Sequence, residues 1–138
     1  MSAIPMQLLS DNATVGPGGN LSVGGCSIAE IAEEYGTPVF VYDEAHLRAR
    51  CQQAPLARGH HRPVYATKAF LCKAMARLVY DEGLLLDVAS GGELAVVLAA
   101  GVPANACTLH GNNKSMKELR EAIAAGVRLD LEQWAELD

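Results

Sequence analysis

From residue 64 onward a single pattern recurs about every 20 to 24 residues: a short apolar run, a helix-start signal, an amphipathic stretch and a glycine stop. Residues 64–68 lead into a stretch with Leu71, Ala74, Met75, Leu78 and Val79 on one face and Gly83 just past its end. Residues 84–88 lead into Ser90-Gly91-Gly92-Glu93, then Leu94, Val97 and Leu98, with Gly101 and Pro103 as the stop. Residues 106–110 lead through Gly111-Asn112-Asn113-Lys114 to a Ser115…Glu118 start signal, then Leu119, Ala122, Ile123 and Gly126. Residues 127–131 begin a fourth unit, with Trp134 and Leu137 hinting at its helix. Short apolar runs are strands and the 3.6-residue spacings are helices. A Ser with Glu three residues on is a capping box, which satisfies free amides at a helix start. Strand–helix alternation with short links dictates parallel strands joined by right-handed crossovers.

The predicted fold is therefore α/β, with a period typical of a (β/α)8 TIM-like barrel and a doubly wound sheet as the alternative. Neither G-x-G-x-x-G after a strand nor a Walker lysine is present. Three to four βα units are covered. Before them, residues 1–26 are rich in glycine and read as turns and short extended pieces. Ser27-Ile28-Ala29-Glu30 is a capping box for a helix with Ile28, Ile31, Ala32 and Tyr35 on one face, stopped by Gly36 and Pro38. Residues 39–42 read as a strand, and Asp43 caps a second helix to about Ala54, with Leu47, Cys51 and Ala54 on one side. A loop at 55–63 follows.

Composition narrows the function. A net charge of -5 with no basic run makes nucleic acid and acidic membrane surfaces poor partners. No apolar run is long enough to span a bilayer and the start lacks a signal-peptide pattern, so a cytoplasmic location is expected. Cys26, Cys51, Cys72 and Cys107 are scattered and fit reduced, mostly buried thiols. His60-His61 sits in a polar stretch between Arg58 and Arg62, and adjacent side chains converge poorly on one ion, so no metal site is expected.

The chemistry is at the strand ends, where Lys68, Asp87 and His110 fall in successive units. In a parallel sheet the carboxyl ends share one edge, and side-chain alternation puts Lys68 with Ala66 and Val64, Asp87 with Leu85, and His110 with Thr108. A lysine with a buried stem is a candidate nucleophile toward a carbonyl, because desolvation disfavours its charged form; the alternative is a strand-end lysine that reaches water. Asp87 either holds that amine or bonds amides at the start of the Ser90 helix. His110 either contacts a ligand or fills the mouth of the sheet as a polar side chain. Ser90-Gly91-Gly92 has the look of a phosphate cradle, but capping accounts for Ser90 and close packing for the glycines.

Three segments in this order, Tyr65-Ala66-Thr67-Lys68-Ala69, Leu86-Asp87-Val88-Ala89-Ser90-Gly91-Gly92-Glu93-Leu94 and Leu109-His110-Gly111-Asn112-Asn113-Lys114-Ser115, resemble the N-terminal part of the fold-type III pyridoxal-phosphate decarboxylases. Tyr35-Gly36-Thr37-Pro38-Val39-Phe40-Val41-Tyr42-Asp43 fits as well, so the resemblance runs from about Ser27 to Ala125. Within that family the His110-Gly111-Asn112-Asn113-Lys114 segment sides with the branch acting on meso-diaminopimelate over the ornithine branch. The resemblance implies that Lys68 carries pyridoxal 5'-phosphate as a Schiff base, with Asp87 and His110 as further cofactor-binding residues. It implies decarboxylation of meso-diaminopimelate to L-lysine and carbon dioxide, a small amino-acid substrate and a homodimer. The family fold, an α/β-barrel plus a β-domain, implies that residues 1–42 belong partly to the β-domain and 43–138 to the barrel. The family's later motifs, among them a stacking imidazole and the phosphate-binding glycine loop, are not in this sequence. A partial barrel without them is expected to be inactive alone. Without the resemblance, a cofactor-holding module and an aldolase-like Schiff-base enzyme remain open.

Overall fold

The computed structural model describes residues 5–56 and 62–136, so His60 and His61 lie outside the described residues. The chain divides into two units, Met1–Arg50 and Cys51–Asp138; the sequence pattern placed the division at 42/43.

In the first unit the glycine-rich stretch folds into a three-stranded antiparallel sheet: β1 (Thr14–Val15), β2 (Leu21–Val23) and β3 (Cys26–Ser27). The pairs Val15–Leu21 and Val23–Cys26 set its register. Helix α1 (Ile28–Tyr35) begins at Ser27, whose Oγ accepts from Glu30 N at 3.4 Å, and ends at Gly36 with φ +79°, a conformation that suits glycine. Residues 39–42 are not a strand. A strand needs a hydrogen-bonded neighbour, and this stretch forms no ladder among the described residues; Phe40 is 88% exposed. Helix α2 (Glu44–Leu56) starts where expected, with Asp43 Oδ1 accepting from His46 N at 3.0 Å, and runs two residues beyond Ala54.

The second unit is a parallel sheet in the order β4 (Val64–Ala66), β5 (Leu85–Val88), β6 (Cys107–Leu109) and β7 (Arg128–Leu129). Ala66 pairs with Asp87, Asp87 with Thr108, and Thr108 with Arg128, so the strand ends are aligned. Alternation divides the faces. Leu86, Val88, Cys107 and Leu109 are buried beneath the helices, whereas Val64, Leu85, Asp87 and Thr108 on the other face are only partly covered or exposed. Helix α3 (Lys73–Asp81) buries Met75, Ala76, Leu78 and Val79; α4 (Gly91–Ala99) buries Leu94 and Val97; α5 (Met116–Ala125) buries Leu119 and Ala122. Two residues assigned to the buried faces lie elsewhere: Ala74 is exposed, and Ile123 is 65% exposed. Of the cysteines only Cys51 and Cys107 are buried, and Cys26 and Cys72 face solvent. Burial pushes the Cys107 thiol up, which keeps it protonated.

Glu118 ties two helix starts together. Its Oε2 accepts from Ser115 N at 2.9 Å and Ser115 Oγ at 2.7 Å, closing the capping box of α5. Its Oε1 accepts from Gly91 N at 2.7 Å, at the start of α4. A Cβ on Gly91 would come within 2.9 Å of Glu118 Cγ, so the glycine makes room for a carboxylate from the next helix. Ser90 caps α4 through Glu93 N, but the Glu93 side chain reaches Ala89 N at 2.7 Å and leaves the capping box of α4 unclosed.

These amides hold the Glu118 carboxyl down to about 2 from its ordinary 4.5, first through Gly91 N and then through Ser115. A carboxyl depressed on folding gives stability that is fully present above its unfolded value and lost as pH falls through the folded one. Stability should therefore fall between about pH 4.5 and pH 2 by about 1–2 kcal/mol from this group, after discounting for solvent. Urea titrations at pH 6 and pH 3 check this. Glu118→Gln should flatten that part of the acid limb, and an unchanged limb would refute the assignment.

Candidate active site at the strand ends

Lys68 is not the last residue of a strand. Strand β4 stops at Ala66 and the chain makes a single 3-10 turn, Thr67–Ala69, that carries Lys68 into solvent as an exposed side chain. The turn is fixed by its neighbours. Thr67 is 1% exposed and its Oγ1 donates to Asp87 O at 2.9 Å, while Tyr65 Oη donates to Phe70 O at 2.8 Å. Helix α3 therefore begins only at Lys73, with Cys72 Sγ accepting from Met75 N at 3.4 Å. The buried lysine stem expected from sequence is not formed among the described residues, because the chain leaves the strand after Ala66 and the turn puts Lys68 in solvent. Threonine, one residue earlier, takes the buried position.

Asp87 and His110 are brought together. His110 Nδ1 lies 2.6 Å from Asp87 Oδ1, and both side chains are about a quarter exposed, at 25% and 28%. The backbone extends the ladder one step past β6, since His110 N donates to Val88 O at 2.9 Å. The amides at the start of the Ser90 helix go instead to Glu118, Glu93 and Ser90, so Asp87 does not cap it. A carboxylate can only accept, so with Asp87 ionised the Nδ1 of His110 donates and Nε2 is left for another partner.

Beyond His110 the chain turns at Gly111, whose φ of +110° suits glycine, and is held by the segment after β7. Gly111 N donates to Glu132 Oε1 at 3.1 Å and Gln133 Nε2 donates to Asn112 O. Lys114 Nζ donates to Gly111 O and, at 2.7 Å, to Asp130 O, and lies 3.1 Å from Glu136 Oε2. Among the described residues, no group of three or more His, Cys, Asp or Glu side chains could hold a metal ion, and no helix is long and apolar enough to cross a membrane.

A parallel α/β sheet with an amine, a carboxylate and an imidazole along its carboxyl-terminal edge belongs to the α/β domains that bind ligands where their strands end. Residues 44–138 match the family described as pyridoxal-dependent decarboxylase, pyridoxal binding domain, and the chain belongs to that family. It is 50% identical over 117 residues to diaminopimelate decarboxylase of Mycobacterium bovis, covering 84% of this chain and 26% of that protein. Over 109 residues it is 50% identical to the diaminopimelate decarboxylase of Bacillus subtilis, covering 76% of this chain and 25% of the relative. The chain thus spans about a quarter of the length of these curated relatives. Among solved structures it resembles diaminopimelate decarboxylase from M. jannaschii in co-complex with L-lysine, with TM-score 0.79 and 28% identity over 93% of this chain and 31% of that one. Lysine/ornithine decarboxylase from Vibrio vulnificus complexed with putrescine aligns with TM-score 0.69 and 26% identity, over 80% of this chain and 31% of that one.

The donor set fits pyridoxal phosphate at its aldehyde end. An exposed primary amine is what an aldehyde condenses with, and a hydrogen-bonded carboxylate–imidazole pair stands on the next two strands of the same edge. The phosphate end finds less. The starts of α4 and α5, natural anion sites, are occupied by Glu118, Ser90 and Ser115. Sequence reasoning overlooked Thr67 and both long-range carboxylates, Glu118 and Glu136. Only the capping box gave any hint of Glu118, and nothing local pointed to its bond with Gly91, 27 residues away.

Proposed function

We propose that this chain provides the lysine-bearing part of a pyridoxal-phosphate decarboxylase that converts meso-diaminopimelate into L-lysine and carbon dioxide. The observation that carries the proposal is the alignment along one sheet edge of Lys68, on the turn beyond Ala66, with the Asp87–His110 pair on the next two strands. Half-identical relatives named for this reaction, and a structural relative solved with L-lysine, support the choice of substrate and product. When bound, the cofactor supplies an electron sink for the pair left behind by a departing carboxylate. Lys68 would hold it through Nζ, and its position on an exposed turn leaves that amine open to exchange with a substrate amine. Asp87 fixes the tautomer and the orientation of His110, so that Nε2 can hold a proton or a ligand oxygen.

The sequential strand order, with helices on one face, supports assigning residues 43–138 to the first part of a (β/α)8 barrel and residues 1–42 partly to the β-domain. A homodimer in the cytoplasm belongs to the same proposal. The 138 residues alone should give no turnover, because the half-covered inner face leaves the amine in water. One second reading is a decarboxylase of ornithine or arginine, and the likeness to a lysine/ornithine decarboxylase supports its ornithine half.

Reduction of the complete protein with borohydride in the presence of pyridoxal phosphate, followed by digestion, should put the pyridoxyl label on the Lys68 peptide. A label on any other peptide would sink the assignment. Carbon dioxide release from meso-diaminopimelate, ornithine and arginine then separates the two substrate readings.

A further inference from the structure

We infer that Lys114 is a positioning residue: its buried ammonium straps together the two chain segments that leave β6 and β7, and thereby sets the His110 ring against Asp87. Its side chain is 1% exposed, a rare state for a lysine unless it is paired. The pairing is complete on its side. Nζ donates to Gly111 O, the carbonyl immediately after His110, and to Asp130 O at 2.7 Å, while Glu136 Oε2 at 3.1 Å balances the charge. Glu136 is itself 6% exposed; its Oε2 also accepts from Glu132 N at 3.1 Å, and its Oε1 is buried without a hydrogen-bond partner among the described residues, so the Lys114 ammonium is the positive charge that offsets its burial.

The consequence for His110 follows from geometry. Its backbone is fixed on one side by the bond to Val88 O at 2.9 Å, and on the other by Gly111, which turns the chain with a φ of +110° and donates its N–H to Glu132 Oε1 at 3.1 Å. The direction of the Gly111 carbonyl is what Lys114 holds. Asp130 N donates to Leu109 O at 3.0 Å, so the strap closes a ring from Leu109 through Asp130 and Lys114 back to Gly111, with His110 inside it. Loosening that ring frees the ring torsion of His110 and lengthens the 2.6 Å contact to Asp87.

The inference rests on the proposed role of Asp87 and His110 at the cofactor, and its test reads the pair directly. In the complete protein labelled with 15N-histidine, the short Nδ1–H to Asp87 gives a downfield proton signal, assigned by its absence in His110→Gln. In Lys114→Met, and in Lys114→Met combined with Glu136→Gln so that no charge is left buried alone, that signal should vanish while a cooperative thermal transition remains. The dissociation constant for pyridoxal phosphate should rise about tenfold, the usual scale for a group that orients a ligand-binding residue. An unchanged His110 signal in the folded double variant overturns the inference. Loss of the fold in both variants also overturns it, because Lys114 would then support the whole domain and not His110. A lost signal with unchanged cofactor affinity upholds the strap and refutes the cofactor role of His110.

Discussion

Lys68→Ala should lower decarboxylation by the complete enzyme at least about a thousandfold, the scale on which removal of a covalent nucleophile is felt. The effect should be confined to chemistry. Lys68 is exposed on a one-turn connection, and the contacts that fix this turn belong to Thr67 and Tyr65, so stability should move by no more than about 0.5 kcal/mol. Matched measurements of kcat with saturating cofactor and of the urea midpoint check both halves. The mass of borohydride-reduced protein should lose the pyridoxyl increment in the variant. Activity within tenfold of the parent would remove Lys68 from the mechanism.

The largest stability effect should come from the strand that carries His110. Leu109→Ala should destabilise the fold by about 3–5 kcal/mol, since a fully buried leucine loses both its transfer energy and the contacts around the cavity it leaves. Leu109 has no exposed surface, and it sits in the interior strand β6 between β5 and β7. Ile123→Ala removes a side chain of similar size from the same unit, but at 65% exposure it should cost no more than about 0.5 kcal/mol. Denaturant titrations at constant m separate these outcomes. A loss below 1 kcal/mol for Leu109→Ala would mean that the layer under the helices is not the core. Against a total stability of about 5–15 kcal/mol, the expected loss is large enough to lower the folded population in cells.

Much of the second unit was legible because its signals are local. Three of the four strands were apolar runs with a glycine or a capping serine close to one end, the first being set off by Pro63 instead, and four parallel strands formed at the expected places, each shorter than the run that announced it. Ser27, Ser90 and Ser115 all cap helices as their spacing requires. Residues 39–42 misled for the same reason that the others succeeded. Val-Phe-Val-Tyr has strand propensity, but propensity does not supply the neighbour that a ladder needs. The placement of Ala74 and Ile123 failed differently. Helical spacing tells which residues share a face, but the width of the contact surface decides which of them are covered.

The candidate site divides along the same line. Alternation along β5 and β6 put Asp87 and His110 on one side of the sheet, and the 2.6 Å contact follows from aligned parallel strands. Lys68 departed from that rule because Thr67 hydrogen-bonds a carbonyl of the neighbouring strand and turns the chain one residue early. No sequence spacing encodes that bond.

The sequence by itself determined the order of strands and helices in the second unit, the caps and the three residue types at the strand ends, because these follow from periodicity and from hydrogen bonds within a few residues. Tertiary structure alone decided that Glu118 joins two helix starts, that Lys114 lies buried between two strand ends, and that Lys68 faces water. Those outcomes depend on groups 16 to 27 residues apart in the chain, whose meeting is fixed by the packing of whole elements.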